Sequence, residues 1–216
     1  MLHDLRNSFI DNLYLLIGES YFFRNQLDSA YLTFQYLNYA FSPKEKDGWD
    51  MVIGSNANEG GNVFSVATKE NNSIFNRVLT RPPSRNESFI WQIRTLLAAG
   101  QTGQAAGLLE TFKHDPLFPE RLQTDLKEMQ ALYFYQQKIY DSAAFYLTQA
   151  LDNAGTPLEQ ARREYLIAQL HDLSGNHELA KAFFKRASLH TLDPLLEVYA
   201  ILNALRQDET GNEAEV

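Results

Sequence analysis

Residues 133–151 read YFYQQKIYDSAAFYLTQAL: an aromatic helical run, a polar break, then a small residue followed by larger ones at helical spacing. The same plan recurs in SYFFRNQLDSAYLTFQYL (20–37) and in AQLHDLSGNHELAKAFFKRA (168–187). In register, the small residue, a large one four places on and an apolar or small one three further are Ala30/Phe34/Leu37, Ala143/Leu147/Ala150 and Ala180/Phe184/Ala187. A weaker copy lies in LLAAGQTGQAAGLLETF, as Ala105/Leu109/Phe112. Ala105 to Ala143 spans 38 residues and Ala143 to Ala180 spans 37, while Ala30 to Ala105 spans 75, about one repeat plus an insertion. Self-similarity at such a period marks a helical repeat array, in which one helix pair cannot bury its apolar stripe alone and stacking supplies the core. Small side chains let two helices approach closely, and large ones fill the gap to the next pair.

The punctuation agrees. Thr156-Pro157-Leu158-Glu159 is a capping box with proline at the first helical position, and Ser84-Arg85-Asn86-Glu87 reads as a second box after Pro82-Pro83. Pro119 and Asp193-Pro194 mark two more starts, and Asp28, Asp141 and Asn176 are expected to open the second helices of their pairs. The expected pairs are 7–40, 85–113, 119–152 and 157–189. A helix at 194–206 would cap the last exposed face. Residues 1–206 then form one domain, and 207–216, with Asp208, Glu209, Glu213 and Glu215, an acidic disordered tail.

This pattern resembles the tetratricopeptide (TPR) repeat, a helix-turn-helix unit. The first copy carries Tyr14, Ile17, Gly18, Tyr21, Ala30 and Phe34 at the family's spacing. Later copies depart from it, with Ile93, Ala131 and Ala168 where the first has Gly18. The expected fold is an all-α, TPR-like solenoid of about four helix pairs with a terminal helix.

Residues 41–84 break the rhythm. WDMVIG and NVFSVAT are β-prone runs flanking the turn-rich SNANEGG, so an irregular or β-hairpin insertion is expected. From Pro43 to Arg85 there are six Lys/Arg against five Asp/Glu, in a chain of net charge −8. Lys44, Lys46, Arg77, Arg81 and Arg85, with Trp49, form a candidate partner-binding patch; bracing of the first two pairs by the insertion is the other reading, and both stay open.

A narrower resemblance rests on FIDNLYLLIGESYFF, on DSAYLTFQYLNYAFSPKEKDGWDMVIGSNANEGGN and on TRPPSRNESFIWQIRT. These runs are similar to the TPR region of gliding-motility and type IX secretion lipoproteins of Gram-negative bacteria. The resemblance implies a periplasmic, outer-membrane-associated interaction scaffold whose partners are secretion-machinery proteins, with any lipid anchor outside these residues. These residues depart from that family in carrying no lipoprotein signal and no attachment cysteine, so a fragment or a shortened relative is the expectation. If the chain is complete as written, the expectation is instead a cytoplasmic TPR adaptor that binds a peptide segment.

In TPR proteins the first helix of each pair lines a concave face. That register places Asn12, Leu15, Glu19 and Phe22 there from the first pair and Glu87, Ile90, Arg94 and Leu97 from the second. Asp125, Glu128, Leu132 and Tyr135 come from the third, and Arg162, Tyr165, Gln169 and Asp172 from the fourth. Of these, Glu19, Phe22, Glu87, Arg94, Glu128, Tyr135, Arg162, Tyr165, Gln169 and Asp172 are the candidate partner-binding residues. Aromatics beside mixed charge suit a helical or extended peptide.

Composition narrows the function classes. The net charge argues against a general nucleic-acid or anionic-membrane surface, which needs a basic face. With no cysteine there is no disulfide, thiolate nucleophile or Cys-ligated zinc. The five histidines include no HExxH pair, and NEGGN lacks the spacing of a phosphate-binding loop. No catalytic residue, metal or cofactor is expected.

Overall fold

The computed structural model describes residues 9–42, 66–70, 82–151 and 154–213, with side chains through Asp208. The described residues form an all-helical chain with no strand. The nine α-helices among them are α1 (Ile10–Phe23), α2 (Leu27–Ala40), α3 (Ser84–Ala98), α4 (Thr102–Lys113), α5 (Gln123–Gln136), α6 (Tyr140–Leu151), α7 (Pro157–Leu173), α8 (His177–His190) and α9 (Pro194–Glu213). A 3₁₀ turn, Glu120–Leu122, leads into α5. The chain divides into two compact units, residues 1–126 and 127–216.

Four of the connections are one turn repeated. Asn25, Gly100, Lys138 and Gly175 all take positive φ, between 57° and 80°. Each sits just past the end of the first helix of its pair. In each turn the amide of the positive-φ residue bonds a carbonyl three back, and the next amide bonds a carbonyl five back, as in Gly175 N to Asp172 O (3.1 Å) and Asn176 N to His171 O (2.8 Å). This double closure satisfies carbonyls that the helix end leaves without partners. Five residues after each positive-φ position stands the alanine of the sequence repeat, Ala30, Ala105, Ala143 or Ala180, its amide bonded to the carbonyl four back.

Those alanines are fully buried, and the large residues four places on, Phe34, Leu109, Leu147 and Phe184, lie in the core with them. In the first unit Ala30, Phe34 and Leu37 cluster with Leu15, and Tyr14, Tyr21, Phe22 and Trp91 pack around them. In the second unit Ala143, Ala144 and Leu147 meet Ala131, Ile167 and Leu170, and Ala180 and Phe184 meet Ala168 and Ala204. Each fully buried Phe or Leu contributes about 1.5–3 kcal/mol through removal from water.

Several expected helix starts are corrected. Asp28 and Asp141 lie inside the first turns of α2 and α6 and do not cap them; Asn176 holds the N-cap position, but its side chain makes no capping bond. The Schellman-type turns already fix where those helices begin, so no side-chain cap is needed. The Thr156 cap forms, with Thr156 Oγ1 accepting from Glu159 N at 3.2 Å, while the Glu159 carboxylate accepts from Gly155 N at 3.0 Å in place of Thr156 N. The expected box at Ser84 does not: the carboxylate of Asp11, on α1, accepts from Ser84 N at 2.9 Å, and Ser84 Oγ pairs with Asn12 Oδ1.

α9 packs on α8 as the expected final helix, with Ala204 in the cluster of Ala180 and Phe184, but its length and outer face differ. It continues to Glu213, past the expected end at 206, and Gln207 is buried. Ala200, Ala204 and Gln207 face inward, whereas Leu195, Val198, Leu202 and Leu205 are each more than half exposed. A capping helix would turn a polar face outward. The β-hairpin expectation falls largely on 43–65 and 71–81, outside the described residues, and 66–70 forms no strand. No helix among the described residues is long and apolar enough to cross a membrane.

Candidate binding surfaces

In the second unit, a groove of about 740 Å³ runs among α5, α7 and α9. Its lining is mainly apolar, with Leu132, Leu166, Leu170 and Leu173 beside Met129 and Tyr135. The helical period explains the lining: Glu128, Leu132 and Tyr135 recur on one stripe of α5, and Leu166, Gln169 and Leu173 on one stripe of α7. Tyr135, Leu166 and Leu173 are each about half exposed, a concentration of apolar surface that a folded chain ordinarily buries.

The charges in this groove are already paired. Arg163 donates to Glu128 from Nε at 2.8 Å, and to Glu159 at 2.6 Å. Arg206 donates to Asp172 at 2.7 Å, and Asn203 Nδ2 donates to Tyr165 Oη at 2.9 Å. A ligand therefore meets an apolar floor between neutralised rims.

Of the candidates on these helices, the groove gathers Glu128, Tyr135, Gln169 and Asp172, together with Leu132. Tyr165 stands behind it through Asn203, and Arg162 is exposed outside the lining. Arg163, Leu166, Leu173, Asn203 and Arg206 were not foreseen. On α7 the lining takes Arg163 and Leu166 beside the expected Gln169 and Asp172, while Arg162 lies outside it. α9 was assigned a covering role and so supplied no groove residue.

In the first unit, Glu19, Phe22 and Arg94 meet around Trp91. Phe22 packs edge-on to Trp91 at 5.4 Å, and the Arg94 guanidinium lies 4.6 Å from the Trp91 ring centre. Burial pushes the Glu19 carboxyl above its ordinary range and the nearby charge of Glu87 adds to this, while Arg94 and Trp91 oppose it. Trp91 was missed because only the first, fourth, eighth and eleventh positions of the helix face were carried over.

Below that cluster, residues 66–70 are pinned to the start of α3 and to the loop after α4. Asp115 Oδ2 accepts from Val66 N (2.7 Å) and Ala67 N (2.9 Å). Asn86 brackets Thr68, accepting from its N–H at 2.9 Å and donating to its carbonyl at 2.7 Å. Arg85 donates to Asn38 O, Val66 O and Thr68 Oγ1 at 2.9, 2.9 and 2.6 Å. Glu70 receives Arg121 through two bonds of 2.9 and 3.0 Å, and Asn86 Nδ2 at 3.0 Å. Arg85 is buried, so its expected place in a basic partner-binding patch is corrected: its guanidinium is spent inside the unit on Asn38, Val66 and Thr68. Lys44, Lys46, Trp49, Arg77 and Arg81 lie outside the described residues.

No family model matches this chain, and no curated protein matches it. Among the described residues no group of three or more His, Asp or Glu side chains could hold a metal ion.

Proposed function

We propose that this chain is a non-catalytic, TPR-like scaffold that binds a helical or extended segment of a partner protein in the groove of residues 127–216. The observation that carries this reading is the groove itself, where exposed Leu166, Leu173 and Tyr135 line an apolar floor whose neighbouring charges are paired. Such a surface favours an amphipathic segment that inserts apolar side chains at helical spacing and keeps its polar face in water. The repeated turn and alanine register support the TPR-like assignment.

The setting we favour is an accessory role in a type IX secretion or gliding-motility assembly, at the periplasmic face of an outer membrane. The resemblance, densest at 28–62 and 81–95, supports this setting. A cytoplasmic adaptor is the competing reading, and fractionation of the native protein separates the two.

The test is a pull-down from envelope extract with the wild type and with Leu166→Asp/Leu173→Asp. Both side chains are half exposed, so the replacements leave the core intact. Removing two apolar contacts should weaken partner recovery by about tenfold or more. Recovery of the same proteins by both forms would remove the groove from the interaction, and an absence of secretion proteins from both would remove the setting.

A further inference from the structure

The contacts around residues 66–70 are those of a peptide in a receptor. We propose that the start of α3, together with Asp115 and Arg121, is a recognition site for a partner peptide of the pattern Ala-Thr-x-Glu, bent at its alanine, and that Val66–Glu70 fills it in cis. This site lies in the first unit and is independent of the groove proposed above.

The chemistry is main-chain recognition. Two successive N–H groups go to Asp115, an N–H and a carbonyl of one residue go to Asn86, and a further carbonyl goes to Arg85. Val66 and Ala67 N–H converge on one Asp115 oxygen at a bend in the segment, and bidentate reading of Thr68 by an amide side chain fixes the direction and register of a bound peptide. Side-chain readers are layered on top. Ala67 is buried, the Thr68 hydroxyl meets Arg85, and the Glu70 carboxylate meets Arg121 and Asn86. Val66 and Lys69 point outward and are unread.

Ala67 is the only apolar side chain of this segment that is buried, so the segment is held by hydrogen bonds rather than by apolar packing. The site is also built to be filled. Asn86 is fully buried, and Arg85 and Asp115 nearly so, all on fixed elements. Without Val66–Glu70 these groups exchange those bonds for water, and a preformed set of donors and acceptors favours a ligand that restores them. A partner segment with the same pattern would compete for the site.

The test uses the full chain carrying Thr68→Pro/Glu70→Lys, which removes the N–H read by Asn86 and reverses the charge read by Arg121. A labelled peptide SVATKEN, the sequence of residues 65–71, is titrated by fluorescence anisotropy while circular dichroism follows helicity. We expect saturable binding to the variant, binding at least tenfold weaker to the occupied wild type, and loss when the peptide glutamate is replaced by lysine. Adding Arg121→Glu to the variant should reverse the preference toward the lysine peptide. A folded variant that binds no peptide would overturn the proposal. So would equal binding to wild type and variant, or a variant that unfolds and is not restored by the peptide.

Discussion

A β-carbon placed on Gly18 would lie 2.3 Å from Cε1 of Phe34 and 2.7 Å from its Cζ. The two residues share one space between α1 and α2. Phe34 is fully buried and stacks on Trp91 at 6.1 Å, so the ring has no free direction in which to withdraw. Gly18→Ala should therefore destabilise the first pair by roughly 1–3 kcal/mol, the usual cost of overpacking. Thermal unfolding reads this directly, and Phe34→Leu in the same chain should recover part of the loss by freeing the space.

The repeat alanine of the third pair gives a companion test. Ala143 is fully buried against Leu147 and Ile167. Ala143→Phe should cost about the same, roughly 1–3 kcal/mol. A denaturation midpoint equal to that of the parent would show that the alanines do not set the spacing of the helices.

The four matched turns separate backbone strain from crowding. Gly175 has positive φ and nothing within 4 Å of the β-carbon position, so Gly175→Ala should cost about 1 kcal/mol through strain alone. Lys138 holds the same conformation with a side chain, at φ 59°. Lys138→Gly should relieve that strain and stabilise the chain by up to about 1 kcal/mol, read as a rise in the urea midpoint.

Helix starts should show unequal sensitivity to their expected caps. Thr156→Ala removes a local cap of α7 and should cost about 1 kcal/mol. At α3 the acceptor is Asp11, so Asp11→Ala should cost roughly 0.5–2 kcal/mol although it lies outside α3. Equal midpoints for Asp11→Ala and the parent would show that the bond to Ser84 contributes nothing.

His171 makes stability depend on pH. Burial lowers its pKa below the ordinary 6.5, against a smaller opposing effect of Asp141. Its ring stacks on Phe183 at 5.7 Å, and Nδ1 is buried without a hydrogen-bond partner. The folded chain thus favours the neutral ring, and the unfolded chain binds more protons just below 6.5. The contribution is complete above that value and is lost as pH falls through 6.5 toward the folded-state value. The melting temperature of the wild type should fall with acidification in this window, and His171→Gln should show a shallower fall.

The sequence by itself determined the helical hairpins and their spacing. That information is local: an alanine four residues into each second helix, a bulky residue one turn later, and a period written in the chain. It placed Glu128, Tyr135, Gln169 and Asp172 on one side for the same reason, because helical periodicity fixes which side chains share a face. The tertiary structure decided what periodicity cannot reach. Asp11 caps α3 across 73 positions, Arg85 turns inward to hold Val66 and Thr68, and α9 supplies Asn203 and Arg206 to the groove with an apolar stripe left outward. Each depends on a polar or apolar group finding its partner in space, and the distance along the chain carries no signal of that meeting.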